Sequence, residues 1–182
     1  MVASTSVSNA LELFISHWMQ SKQDNALVDY DPSWPSECYI LPLPSEGSPC
    51  HWQPVKRQTS SDMFNRLSQA LEIDIHPDLE AYYTTFFSNH MEASAPQGEL
   101  TLLQVWNEED LERLRGNLIG HALSKVKQKQ PLSFFFAVTE PDDGILSIRN
   151  DDGCIWLEYP GKKPVKKIAD NLSEFLHTLK PR

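Results

Sequence analysis

The chain has 182 residues, of which 40% are hydrophobic, and its mean hydropathy is -0.42. These values are typical of one soluble globular domain and exclude a largely disordered or membrane-embedded chain. The formal net charge of -9 argues against nucleic-acid binding, because an acidic surface repels phosphates.

The first predicted element is a helix from about Ser6 to Gln23, where apolar residues recur with the 3.6-residue period of one helix face. A Pro-rich segment follows over residues 31–54, and its prolines fix φ and remove backbone donors. Its three aromatic residues are Trp34, Tyr39 and Trp52. They favour an extended segment that lies across the body of the protein rather than a free linker.

Two helices are predicted after this segment. Ser61 is suited to cap the first of them, which runs to Ile73. Pro77 suits the first position of the second helix, since Asp78 and Glu80 follow in its first turn.

A strand and a long helix follow in the middle of the chain. Leu100–Trp106 is the strongest strand signal before the midpoint. Asn107 is a natural cap for the next helix, which begins with acidic residues and continues toward Lys129 with lysines near its end.

Three short strands are predicted next, over Leu132–Thr139, Ile145–Asn150 and Cys154–Tyr159. The breaks between them, Asp142-Asp143-Gly144 and Asp151-Asp152-Gly153, both contain the Asp-Gly pair of tight hairpins. The three strands are therefore expected to form an antiparallel meander.

A lysine-rich turn at residues 162–167 leads to a closing helix, in which Asn171 and Glu174 have capping-box spacing. Helices followed by a sheet to which one helix returns predict an α+β fold. We expect a single compact domain over residues 1–182, with a mainly antiparallel or mixed sheet flanked by helices.

The charge is unevenly distributed along the chain. Residues 1–112 carry 17 acidic and 4 basic residues, whereas residues 113–182 carry 8 acidic and 12 basic ones. One interpretation is a charged partner, since complementary potentials steer association. The other is the usual placement of acids at helix starts and bases at helix ends.

The sequence has no basic stretch of the secretory type before Lys22, and its longest apolar run is residues 134–138. Cys38, Cys50 and Cys154 lack C-x-x-C spacing and are interpreted as free thiols in a reducing compartment. Neither zinc-ligand spacing nor a phosphate-binding glycine motif is present. We predict a cytosolic protein without a metal or a cofactor.

One set of residues could support catalysis. Asp110, Asn117 and His121 fall along one edge of the long helix, where a carboxylate and an amide could orient a general base. The alternative is a polar border on a packed helix, with His121 bonded to a backbone group. Asp110 and His121 are about 16 Å apart along the helix axis and cannot touch directly.

Acidic and aromatic residues concentrate at two predicted helix starts. If these starts converge beside Trp34 and Trp52, they form an acidic surface with aromatic anchors, which suits a basic peptide or loop. The ordinary interpretation is solvated first turns and core aromatics. The residues at the two starts are Glu80, Tyr82, Tyr83, Glu108, Glu109, Asp110 and Glu112.

The chain resembles the Syd family, within the SUKH superfamily, from about Trp34 to Pro181. Glu37 stands where the family pattern usually has Pro. The matching segments are Trp34-Pro35-Ser36-Glu37-Cys38, Trp52-Gln53-Pro54, Ile75-His76-Pro77, Tyr82-Tyr83-Thr84-Thr85, Leu100–Trp106, Asn117-Leu118-Ile119-Gly120-His121 and Ile168–Leu176.

The resemblance implies an α+β fold with a concave acidic surface and a non-catalytic function. Proteins of this family bind the SecY channel at the cytoplasmic side of the bacterial inner membrane and restrain uncomplexed or faulty SecY. The cytosolic loops of the channel are basic by the positive-inside rule. We expect attachment through SecY without lipid insertion, because anionic lipid would repel an acidic protein. A monomer is expected.

The site residues proposed from the sequence combine electrostatic inference with the family motif. Two alternatives stay open, namely a SUKH-like immunity or adaptor protein with a soluble basic partner, and a small hydrolase. The proposed partner-binding residues are Glu37, Glu80, Glu108, Glu109, Asp110, Trp34, Trp52, Tyr82 and Tyr83, together with Asn117 and His121 of the motif.

Overall fold

The computed structural model describes residues 2–23, 25–141 and 143–182, with side chains from residue 7 onward. Within these ranges the helices are α1 (Val2–Lys22), α2 (Met63–Leu71), α3 (Pro77–Thr84), α4 (Glu108–Lys127) and α5 (Leu172–His177). The strands are β1 (Leu27–Asp29), β2 (Pro49–His51), β3 (Val55–Lys56), β4 (Phe86–Phe87), β5 (Met91–Ala95), β6 (Gly98–Leu102), β7 (Ser133–Glu140), β8 (Ile145–Arg149), β9 (Ile155–Glu158), β10 (Lys166–Ala169) and β11 (Lys180–Pro181).

The main sheet has seven described strands in the order β10-β9-β8-β7-β6-β5-β11, and every neighbouring pair is antiparallel. The predicted meander is confirmed as β7-β8-β9. Gly153 in the second turn has φ +72°, and a Cβ there would lie 2.5 Å from His76 Nε2. Asp142, in the first predicted turn, lies outside the described residues. The α+β class is confirmed.

Strand β7 is covered on both faces. Phe136 packs against Tyr82 of α3 and Phe175 of α5, with ring centroids 5.5 and 5.8 Å away. The neighbouring Phe135 points the other way, and the ring of His121 on α4 lies 5.4 Å from it. Helix α1 packs against α3, α5 and β11, whereas α4 packs against β7 and α2. The buried side chains form one cluster that extends from Val7 to Leu179.

The Pro-rich segment of residues 31–54 contacts the body of the protein through its aromatic side chains. β2 pairs with β1, which precedes the segment in the sequence. The Trp52 ring lies 5.1 Å from the Trp18 ring of α1 in a tilted arrangement and 5.7 Å from the Trp106 ring in an edge-to-face one. Tyr39 also meets Trp106, at 5.1 Å. These aromatic contacts attach the segment to α1 and to the residues before α4, although the segment has little regular secondary structure of its own.

The structure differs from the local predictions in three details. The strand predicted over Leu100–Trp106 instead covers Gly98–Leu102. The Leu103 N–H still donates to the Phe136 carbonyl of β7 at 2.9 Å, but the Gln104 N–H donates to His90 Nδ1 outside the sheet. Its hairpin partner β5 was not predicted, because Met91–Ala95 lacks the β-branched and aromatic residues that signal a strand. The N-cap position of α2 is occupied by Asp62, whose side chain makes no capping bond. Ser61, one residue earlier, accepts a hydrogen bond at its Oγ from the N–H of Met63, the first residue of the helix, at 3.2 Å.

The caps of the remaining helices follow the sequence. Pro77 occupies the first turn of α3, and His76 Nδ1 accepts the Asp78 N–H at 3.2 Å. Asn171 Oδ1 accepts the Glu174 N–H at 2.8 Å, as the capping-box spacing predicts.

Candidate functional site

The start of α4 is held by a reciprocal pair of side-chain bonds. Asn107 Oδ1 accepts the Asp110 N–H at 2.8 Å, and Asp110 Oδ2 accepts the Trp106 N–H at 2.9 Å. The first bond satisfies a backbone donor that a helix start leaves without an intrahelical partner, and the second ties the helix to the residue before its cap. Asp110 is therefore engaged in positioning the helix.

The same helix start binds the Pro-rich segment. Asn107 Nδ2 donates to the Pro35 carbonyl at 2.7 Å, and Ser36 Oγ donates to the Trp106 carbonyl at 2.6 Å. Trp106 Nε1 donates to the Trp34 carbonyl at 3.3 Å. These bonds join residues about 70 positions apart and bring Glu37 to the first turn of α4.

The result is an open groove of about 500 Å³, which we call the acidic groove. Glu37 and Glu109 are exposed at its rim, and no described Lys or Arg lies within ion-pairing distance of either carboxylate. The groove gathers three of the five acids predicted for the site. It is lined by Pro35, Ser36, Glu37, Phe87, Asn107, Glu108 and Glu109.

A buried arginine lies beneath the groove. Arg57 Nη2 is 2.5 Å from Glu108 Oε1, and the Arg57 side chain is 1% exposed whereas that of Glu108 is 55% exposed. The guanidinium carbon of Arg57 also lies 4.3 Å from the Phe87 ring centroid. Burial lowers the pKa of Arg57, and the carboxylates of Glu108 and Glu37 oppose that shift. Arg57 therefore forms an ion pair with Glu108 and interacts electrostatically with Glu37 over a longer distance, whereas no described basic side chain pairs directly with Glu37 or Glu109.

Three of the four predicted aromatic anchors lie in the core, so that part of the prediction was wrong. Tyr82 and Tyr83 are fully buried, and Trp52 is 5% exposed. The Tyr83 hydroxyl donates to the Phe135 carbonyl at 2.9 Å, and burial raises the pKa of both tyrosines. Helix α3 packs between α1 and the sheet, which leaves its aromatic side no access to a partner.

Trp34 is the anchor that retains partial exposure. The guanidinium carbon of Arg113 on α4 lies 5.1 Å from its ring centroid. The Trp34 carbonyl accepts the hydrogen bond from Trp106 Nε1. Each of these two residues directly precedes a residue that lines the groove. Trp34 thus flanks the acidic groove.

Glu80 is exposed on α3 but does not line the acidic groove. The start of α3 instead meets the β8–β9 turn, where the His76 N–H donates to Asn150 Oδ1 at 2.9 Å. The start of α4 meets the Pro-rich segment. The two helix starts are therefore capped against different parts of the chain, and the condition set for one shared acidic surface is not met.

Asn117 and His121 lie further along α4, away from the groove lining. Asn117 is exposed, whereas His121 is half-buried and lines a separate opening of about 110 Å³. Burial lowers the pKa of His121, and the nearby Ser133 backbone opposes that shift. Its Nε2 has no hydrogen-bond partner among the described residues. Asp110, Asn117 and His121 are not assembled into one site.

A buried ion pair beside His121 was not predicted from the sequence. Lys125 Nζ lies 2.8 Å from Glu158 Oε2, with the two side chains 7% and 2% exposed. Ser133 Oγ donates to Glu158, and Lys125 also donates to Gln130 Oε1 at 3.1 Å. Sequence alone offered no signal for this pair, since Lys125 belongs to a run of lysines typical of a solvated helix end.

The described residues contain neither a metal-binding cluster nor a membrane-spanning helix. No group of three or more His, Cys, Asp or Glu side chains in them is arranged to hold a metal ion. None of their helices combines the length and the apolar character needed to cross a membrane.

Comparison with known proteins finds similarity along nearly the whole chain. The family model described as Syd protein (SUKH-2) matches residues 4–181. The Protein Syd of Pseudoalteromonas atlantica is 38% identical over 181 residues, covering 97% of each chain. That of Alteromonas mediterranea is 39% identical over 176 residues, covering 96% of each. That of Colwellia psychrerythraea is 42% identical over 161 residues, covering 84% of this chain and 79% of the relative.

Proposed function

The chain belongs to the Syd family, and from that premise we propose that it binds the cytosolic face of the SecY channel without catalysing a reaction. On this proposal it restrains or sequesters SecY that is uncomplexed or faulty. The acidic groove receives a basic cytosolic loop of the channel, since such loops are rich in Lys and Arg.

The observation that carries this proposal is the gathering of Glu37, Glu108 and Glu109 around one opening. Two of these carboxylates lack a described basic partner, so an incoming Lys or Arg would replace water rather than an existing ion pair. Phe87 in the lining and Trp34 at the flank add apolar surface of the kind that anchors interfaces. Charge at the rim supports fast and selective association more than raw affinity.

The proposal places the protein at the cytoplasmic side of the inner membrane, with the channel as its attachment. It requires no membrane-spanning segment of its own. The same acidic groove could serve a soluble basic partner, so the test must include the channel itself.

The test measures binding to purified SecY in detergent by fluorescence anisotropy. We expect the Glu37→Gln/Glu109→Gln variant to bind about tenfold more weakly, which corresponds to roughly 1.4 kcal/mol. The matched control is Glu80→Gln/Glu92→Gln, which removes two exposed carboxylates outside the groove and should change affinity less than about twofold. Unfolding curves check that both variants are folded.

Salt dependence provides the second readout. Because the screening length falls from about 10 Å at 0.1 M to about 3 Å at 1 M ionic strength, affinity for SecY should fall steadily as salt is added. Equal losses in the two variants, or affinity independent of salt, would contradict the groove as the binding site. Binding to a Lys-rich peptide but not to SecY would favour the soluble-partner alternative.

A further inference from the structure

Exposed lysines concentrate at the far end of α4 from the acidic groove. Two lie at the end of the helix, and four lie in the β9–β10 turn and at the start of β10. We call this set the lysine surface. It consists of Lys127, Lys129, Lys162, Lys163, Lys166 and Lys167.

The two segments lie against each other. The opening of about 110 Å³ beside His121 is lined on one side by Ser124 of α4 and Gln128, which caps the end of that helix, and on the other by Gly161 and Lys162 of the turn. Lysines separated by more than 30 positions in the chain therefore share one end of the molecule.

Most of this positive charge is uncompensated. Lys167 pairs with Asp170 at 2.5 Å, and Glu158 is neutralised by the buried Lys125. For the other five lysines, no carboxylate among the described residues lies within ion-pairing distance. Lys162 Nζ instead lies 5.8 Å from the ring centroid of Tyr159.

The acidic groove is too distant to cancel this charge. Helix α4 has 20 residues, and at 1.5 Å per residue it separates its ends by about 30 Å. The Debye length at physiological ionic strength is about 8 Å, so the two ends act as independent electrostatic regions. The net charge of -9 therefore does not decide how the lysine end interacts with anions.

We propose that the lysine surface contacts a bilayer that bears anionic phospholipids, without insertion of the chain. This goes beyond the proposed channel binding and departs from the expectation that anionic lipid repels the protein. Each lysine near an anionic bilayer surface strengthens binding about fivefold. Several lysines acting together suffice for reversible attachment.

A bilayer fits the composition of the surface better than an RNA or an acidic protein. Residues 125–129 and 160–170 contain no arginine, the side chain that recognises individual phosphates by paired bonds. Val126 and Val165 are 61% and 57% exposed between or beside the lysines. Lysines interspersed with exposed aliphatic residues are typical of surfaces that lie on lipid headgroups.

The test is sedimentation of the full chain with lipid vesicles. Vesicles of phosphatidylcholine with about one third phosphatidylglycerol should bind the protein at low salt, and pure phosphatidylcholine vesicles should not. Lys162→Gln/Lys163→Gln should weaken partitioning at least about tenfold. The matched control, Lys56→Gln/Lys180→Gln, removes two exposed lysines outside the lysine surface and should weaken it less than about twofold.

Three outcomes would overturn the proposal. These are failure of the wild-type protein to bind anionic vesicles, equal losses in the two variants, and binding to RNA or polyglutamate in the absence of vesicle binding. The assay contains no channel, so its result is independent of the proposed SecY interaction. Circular dichroism of each variant confirms that lost binding does not reflect unfolding.

Discussion

The two ends of α4 each carry an ion pair, but the pairs differ in exposure. At the start, the buried Arg57 meets Glu108, whose side chain is 55% exposed. Near the end, Lys125 and Glu158 are both buried, at 7% and 2% exposure. At one end of the helix the carboxylate of the ion pair reaches solvent, whereas at the other end both charged groups are sealed inside the protein.

This difference separates recognition from structure. Burying a charge costs free energy that its partner must offset, so a sealed pair is committed to the fold and has little to offer a ligand. A carboxylate that stays solvated can exchange water for a partner's cation. The acidic groove thus belongs to the open end, whereas His121 and its buried neighbours stabilise the other end.

The largest expected effect is at the sealed pair. Lys125→Met leaves Glu158 buried without its cation and should lower the free energy of unfolding by about 3–5 kcal/mol. Lys127→Met, on the exposed side of the same helix, should change it by less than about 0.5 kcal/mol. Urea unfolding measures both variants.

The double variant Lys125→Met/Glu158→Leu sharpens this result. Replacing both charges with apolar groups removes the desolvation cost and should recover much of the stability. If Lys125→Met alone proves as mild as Lys127→Met, the pair is not sealed.

The next effect is at the open pair. Glu108→Ala removes the carboxylate from the buried Arg57 and should lower the free energy of unfolding by about 1.5–3 kcal/mol. Glu109→Ala, in the same first turn but unpaired among the described residues, should cost less than about 0.5 kcal/mol. Equal effects in thermal unfolding would mean that Arg57 does not depend on Glu108.

The pH dependence of stability tests the environment of His121. Burial lowers the pKa of His121 and of His90 in the folded protein. For His121, the charge of Lys125 reinforces this shift and the charge of Glu158 opposes it. The unfolded chain therefore binds protons more readily, and stability should fall as pH drops below the unfolded value of about 6.5. Each histidine contributes at most about 1.4 kcal/mol per pH unit.

His121→Phe should reduce this loss while leaving the remaining part, to which His90 contributes. Unfolding free energies measured in urea on either side of pH 6.5 supply the comparison. A wild-type stability that rises on mild acidification would contradict the assigned burial, as would an unchanged loss in His121→Phe.

A further effect is expected at the helix cap. Asn107→Ala removes the side chain that accepts the Asp110 N–H and donates to Pro35, and should cost about 1–2 kcal/mol. Asn117→Ala, exposed on the same helix, should be neutral or slightly stabilising because Ala is the better helix former. Comparable losses in both would place Asn117 in the fold as well.

Local signals predicted much of the secondary structure. The periodicity of α1, the caps Asn107 and Asn171, and the turns of the β7-β8-β9 meander all depend on neighbours within a few residues. Strand β5 escaped prediction because its residues have weak strand propensity and the strand is stabilised by pairing with β6. The structure places Glu37, Glu108 and Glu109, all proposed from the sequence as partner-binding acids, around one groove, whereas Glu80 lies outside it.

The sequence by itself determined the fold class, the family and the order of most elements, because these follow from periodicity, capping and a series of motifs. The tertiary structure decided which charges and aromatics reach solvent. Tyr82 and Glu80 lie two residues apart on α3, yet one is fully buried and the other exposed. The partner of Arg57 lies 51 positions away. Burial depends on what packs against each side of a helix, and long-range pairing leaves no local trace in the sequence.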